Sequence, residues 1–130
     1  MAENSSASRE QRYRGVRDRE TLEILPGGLE IVRSIKHEPI SLARTSKRKL
    51  LAKTDKHAGS KFLPQWTLWR YVHWTAAQVA QLGWTRETGI ASYDVLMDEV
   101  IGVSHGQYVR TIRIVSDGRY VHAYPVREHE

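Results

Sequence analysis

The side chains able to do chemistry in this 130-residue chain are cations, imidazoles and aromatics, and their spacing decides which chemistry is open to them. Six histidines are present: His37, His57, His73, His105, His122 and His129. No two of them form H-x-x-x-H or H-E-x-x-H, and no carboxylate cluster accompanies them, so a metal site has little support. Cysteine is absent. That removes thiolate nucleophiles, thiolate-held zinc and disulfides together, and fits a reducing compartment. Neither a Walker A loop nor G-x-G-x-x-G occurs. Gly102-Val103-Ser104-His105-Gly106 offers one loop histidine for acid–base work on RNA, but a lone histidine without a second catalytic group reads more simply as polar surface. The chain therefore reads as a non-enzyme with no metal and no cofactor.

The cations say more. Residues 1–64 hold 14 Lys/Arg against 8 Asp/Glu, whereas residues 65–130 hold 6 against 7. The whole basic excess behind the net charge of +5 thus lies in the first half, densest between Arg44 and Lys61. Such asymmetry points to a polyanion, most often nucleic acid, with a solubilising tail as the plainer alternative. No apolar run approaches the ~18 residues of a membrane-spanning helix. The opening MAENSSASREQ lacks the apolar core of a signal peptide, so secretion is not expected.

The elements that must position these groups divide the chain into three parts. Residues 1–20 read as a disordered or arm-like segment. Residues 21–60 read as a basic extension, beginning with a hairpin in which Pro26-Gly27-Gly28 turns between Leu22–Leu25 and Leu29–Ile35. A helix follows from Ser41 to about Lys56, turning Arg44, Lys47, Arg48, Lys49 and Lys53 outward. Its like charges at i,i+4 repel, a pattern that a bound anion would neutralise. Lys56 to Pro64 reads as a linker. Residues 61–130 read as an α+β core: a small antiparallel sheet with short helices on one face. Its parts are a strand Gln65–Trp74, a short helix capped by Thr75 and ending at Gly83, and a second helix from Thr85 to about Ile101. That second helix would carry Ile90, Tyr93, Met97 and Val100 on one face. A loop at Gly102–Gly106 and a hairpin, QYVRTIRIV and RYVHAYPV about Ser116-Asp117-Gly118, complete it.

That hairpin supplies a candidate surface. With Ile112, Ile114, Val121 and Ala123 turned onto the helices, the alternate positions Thr111, Arg113, Tyr120, His122 and Tyr124 form an open face. Hydroxyl, cation and imidazole donors on a sheet suit a sugar–phosphate backbone, and the 2′-OH of RNA in particular. Any antiparallel sheet with one wet face would also look polar.

Laid out this way, the second half resembles the tombusvirus-type RNA-silencing suppressors, and most of all the small aureusvirus suppressors. Arg70-Tyr71-Val72-His73-Trp74 stands where that family has a basic-aromatic strand, and Leu82-Gly83-Trp84-Thr85 where a short helix ends in Leu-Gly before Trp-Thr. Tyr108 and Ile112-Arg113 match a Tyr-containing strand with an Ile-Arg pair, followed by a Gly turn and a last strand. The match runs in order over roughly residues 60–126, no single motif being specific. The resemblance implies a viral homodimer in the host cytoplasm, its joined sheets cradling double-stranded RNA and sequestering small interfering RNA from the silencing machinery. It would give Arg70 a phosphate contact, place His73 on a family arginine, and assign Thr111, Arg113, Tyr120, His122 and Tyr124 to the RNA face. The dimer interface is expected along an edge strand of the last hairpin.

Larger members of that family carry a Trp-Thr-x-Trp-Arg element on a helix, whose two indoles stack on duplex ends. Trp66-Thr67-Leu68-Trp69-Arg70 repeats those letters. Read as running into a strand, Trp66 and Trp69 point to opposite faces, which makes them sheet or core aromatics and relaxes length selectivity. The basic helix is then expected to add phosphate contacts. Four to six such contacts give a slope of log affinity against log salt of about −3 to −5. Lys47→Ala with Arg48→Ala should reduce that slope by roughly 1–2, measured by salt-titrated gel shift. Unchanged binding would instead leave TSKRKL as a solvated face or a nuclear-import signal. Two alternatives stand beside this reading. One is a winged-helix DNA binder using TAAQVAQLGWTRETGIASYDVL, although Glu87, Asp94, Asp98 and Glu99 would face phosphates. The other is a basic virion or assembly protein.

Overall fold

The computed structural model describes residues 20–33 and 59–128. The expected basic helix, with Lys47, Arg48, Lys49 and Lys53, and the N-terminal arm lie outside the described residues. Eight strands are described: β1 (Thr21–Ile24), β2 (Glu30–Val32), β3 (Ser60–Phe62), β4 (Ile90–Leu96), β5 (Gly102–Ser104), β6 (Gln107–Val109), β7 (Thr111–Asp117) and β8 (Tyr120–Val126). One α-helix, α1 (Leu68–Leu82), and a single 3-10 turn at Arg86–Thr88 accompany them. The class is α+β.

The sheet is not wholly antiparallel. Five strands run in the order β1-β2-β8-β7-β4, and β2 lies parallel to β8. The first hairpin, which the sequence places in an N-terminal extension, thus supplies two strands of the main sheet. Three further strands, β3-β5-β6, form a small antiparallel sheet that packs on β8. Here Gly102 is required, because a Cβ would come within 2.5 Å of the Lys61 carbonyl and 2.6 Å of Pro125 Cγ. β3 and β5 occupy stretches expected as linker and loop.

Two larger expectations are overturned. Gln65–Trp74 is not a strand, and Thr75 caps nothing. The helix starts at Thr67, whose hydroxyl accepts from Arg70 N–H at 3.1 Å. It does end at Gly83, which takes a left-handed φ of 70°, with Trp84 N–H bonded to Val79 O at 3.1 Å. The buried positions Tyr71, Thr75 and Val79 recur every four residues, so the apolar stripe begins before the point where aromatic richness suggested a strand. Residues 85–101 are not a helix either. Thr85 caps only one 3-10 turn, and Ile90–Leu96 pairs with β7 over seven residues, from Ile90↔Asp117 to Leu96↔Thr111. Pairing with a neighbouring strand outweighs a weak helical periodicity.

The core lies between α1 and one face of the main sheet. Ile31, Ile112, Ile114, Val121 and Ala123 meet Tyr71, Val79, Phe62 and Trp66 there. Tyr71 ties the layers together. Its hydroxyl donates to Val32 O at 2.7 Å and accepts from Ala123 N–H at 3.1 Å, spanning β2 and β8 where their parallel pairing stops. Burial pushes this phenol far above its ordinary pKa, so it stays protonated as that donor.

Candidate nucleic-acid interface

Two surfaces carry the residues singled out from the sequence, and they differ in kind. The first is the beginning of α1. Helical spacing separates the two indoles: Trp66, just before the cap, is 0% exposed, whereas Trp69 is 72% exposed. Trp66 stacks on Phe62 at 5.2 Å, meets Trp74 edge-on at 5.7 Å and lies under the Arg70 guanidinium at 4.4 Å. It is a core residue and cannot reach a duplex end. Trp69 faces solvent beside the exposed His73, ring centres 4.1 Å apart, with half-exposed Leu68 next to it. The expectation that both tryptophans are sheet or core aromatics holds for Trp66 and fails for Trp69. Arg70 stands on the helix rather than on a first strand, and Glu99 holds its guanidinium at 2.6 Å.

The second surface is the outer face of β4, β7 and β8. Register sets Arg113 opposite Tyr124, Val115 opposite His122 and Thr111 opposite Val126, while Ile112, Ile114, Val121 and Ala123 turn to the core. The expected grouping of Thr111, Arg113, Tyr120, His122 and Tyr124 on one face is therefore present. Its openness is not. Thr111 and His122 are buried, and only Arg113, Tyr120 and Tyr124 are partly accessible. His122 stacks on Tyr124 at 5.4 Å.

Carboxylates already answer the cations on this face. Asp94, directly across from Arg113 on β4, accepts from its Nε at 2.8 Å and its second nitrogen at 3.0 Å. That bidentate bond raises the Arg113 pKa further above its usual value, with Tyr124 assisting. Arg119 lies over the Tyr120 ring at 4.8 Å and reaches Glu30 at 3.4 Å. Asp94 and Glu99, named from the sequence only as acids that would repel phosphate, act instead as partners of Arg113 and Arg70. Nothing local announces this, because each pairing depends on a register or fold contact 19 or 29 residues away.

Among the described residues, Arg86 and Arg110 are exposed cations with no carboxylate against them, and neither belongs to the RNA-binding set expected from the sequence, Arg86 being the one cation of the winged-helix alternative's recognition helix. Arg110 is the single residue at which the chain passes from the small sheet to the large one. With Leu96, Val100, Tyr108 and Thr111 it lines a cavity of about 630 Å³. Comparison with known proteins finds no matching family model, no matching curated protein and no matching solved structure.

Proposed function

We propose that this chain is a viral suppressor of RNA silencing that binds double-stranded RNA as a homodimer, by backbone and shape, and sequesters small interfering RNA. The observation that carries the reading is the exposed Trp69, one residue inside a Thr67-capped helix and followed by Arg70 and His73. An indole free to stack, beside a guanidinium and an imidazole, suits the end or an unpaired base of an RNA duplex. The same letters sit on a helix in the resembled family, whereas Arg70–Trp74, matched there to a strand, belong to this helix. The excess charge of residues 1–64 supplies the electrostatic attraction, since Lys/Arg and Asp/Glu nearly balance among the described residues.

Because Trp66 is withdrawn into the core, each protomer presents one indole of the pair, and the length of the duplex is weakly measured. The winged-helix alternative loses its recognition helix to β4. A gel shift with RNA duplexes of about 21 and about 40 base pairs should give similar affinity for both and far weaker binding of single strands. A sharp preference for the short duplex would overturn the relaxed length selectivity, and absence of any shift would overturn RNA binding itself.

A further inference from the structure

We infer that β4 is a self-complementary edge through which two copies of this chain pair antiparallel, with Tyr93 on the two-fold axis. The interface expected on the last hairpin is excluded first, because β7 and β8 are both interior strands of the main sheet. Among the described residues its edges are β1 and β4. β1 is short, only four residues, and its register slips between Thr21 and Glu23, a device that blunts an edge. β4 has no such guard. It runs seven residues in unbroken register with β7, contains no Pro, Gly or Lys, and leaves Ile90, Tyr93 and Leu96 63%, 50% and 61% exposed. A long, regular edge with three exposed apolar side chains, whose one charge, Asp94, is already paired with Arg113, is a template for another strand.

Symmetry then selects the partner and the register. In a two-fold antiparallel pair the residue on the axis faces itself, and the others pair in equal steps on either side. An axis at Asp94 sets carboxylate against carboxylate, which is destabilising. An axis at Ser92 sets Ile90 against Asp94. With Tyr93 on the axis, Ile90 lies opposite Leu96, Ala91 opposite Val95 and Ser92 opposite Asp94. Apolar then meets apolar, and a hydroxyl meets a carboxylate whose charge Arg113 already answers. Leu96, Val100, Tyr108 and Val109 form the apolar part of the otherwise polar lining of the cavity of about 630 Å³, and the partner's Ile90 would lie against Leu96 beside it. This pairing deepens the proposed reading, resting on it only for the expectation of a homodimer, and would join two five-stranded sheets into one.

The chain has no cysteine, so single cysteines report the register directly. Under oxidation without RNA, full-length Tyr93→Cys should form a disulfide dimer roughly tenfold more readily than Ser92→Cys or Asp94→Cys alone, and those two mixed should cross-link with each other. In sedimentation equilibrium Ile90→Lys and Leu96→Glu should each shift the protein to monomer, and the double variant should restore the dimer. Both sites are exposed, and far-ultraviolet circular dichroism checks that the fold persists. A monomer at every concentration, equal cross-linking at all three positions, or no rescue by the double variant would overturn the inference. RNA binding is scored separately by gel shift. A β4-paired dimer that ignores RNA sinks the functional reading alone, whereas a monomer that shifts duplex RNA sinks the pairing and the homodimer but leaves RNA binding standing.

Discussion

The start of α1 and the outer face of β7 and β8 make different offers to a ligand. At α1, Trp69 is largely exposed, and the nearby Arg70–Glu99 pair is exposed and therefore weak. On the sheet, Arg113 is clasped by Asp94 across the strand, His122 is buried, and the hydroxyl of Thr111 is withdrawn. The difference separates a surface built for contact from one whose polar groups chiefly satisfy each other. A sheet face can thus look like a cationic trough in sequence and carry little net charge in space. If this contrast is right, affinity should depend on the helix and the basic segment more than on Arg113.

The largest effect should fall on stability rather than binding. Trp66→Ala should lower unfolding free energy by about 3–5 kcal/mol in chemical denaturation, because it empties a fully buried indole site. Trp69→Ala, three residues away, should leave the denaturation midpoint nearly unchanged yet weaken duplex RNA binding by about 1–3 kcal/mol, roughly 5- to 150-fold by gel shift. Equal binding by that variant would erase the contrast between the surfaces.

Tyr71→Phe should cost about 1–3 kcal/mol, since it leaves the Val32 carbonyl and the Ala123 N–H without their partner. The native phenol also predicts an alkaline dependence. Its folded pKa is raised, so its contribution is fully present below the unfolded value of about 10 and declines as pH rises beyond it. Denaturation curves between pH 8 and 11, roughly spanning that ionisation, should show this decline, and Tyr71→Phe should lack it. The smallest effect is expected from Glu99→Gln. Freeing an exposed arginine should tighten RNA binding by only a fewfold, since such pairs are worth about 0–1 kcal/mol. A loss of binding would show that Glu99 orients Arg70 instead.

What was legible in the sequence follows from how local each decision is. Both hairpins were readable, because Pro26-Gly27-Gly28 and Ser116-Asp117-Gly118 sit between alternating runs that pair with their own neighbours. The C-terminal end of α1 was readable from Gly83. Its beginning was not, since residues 65–74 are rich in strand-favouring aromatics, and Thr67 competes with Thr75 as a cap. β4 was misread for the opposite reason. Ile90 and Tyr93 happen to fall at helical spacing with Met97, while the strand that pairs with them, β7, lies about twenty residues downstream. The candidate site inherits both errors. Which tryptophan is buried depends on where the helix starts, and which arginines are neutralised depends on the β4–β7 register.

The most direct measurement is a competition between one RNA duplex and its deoxy counterpart of identical sequence and length, for the full-length protein at fixed salt. Recognition through ribose hydroxyls and A-form shape predicts that the RNA displaces bound RNA at a concentration at least about tenfold lower than the DNA does. Displacement at equal concentrations would contradict it, leaving a basic chain that binds any polyanion.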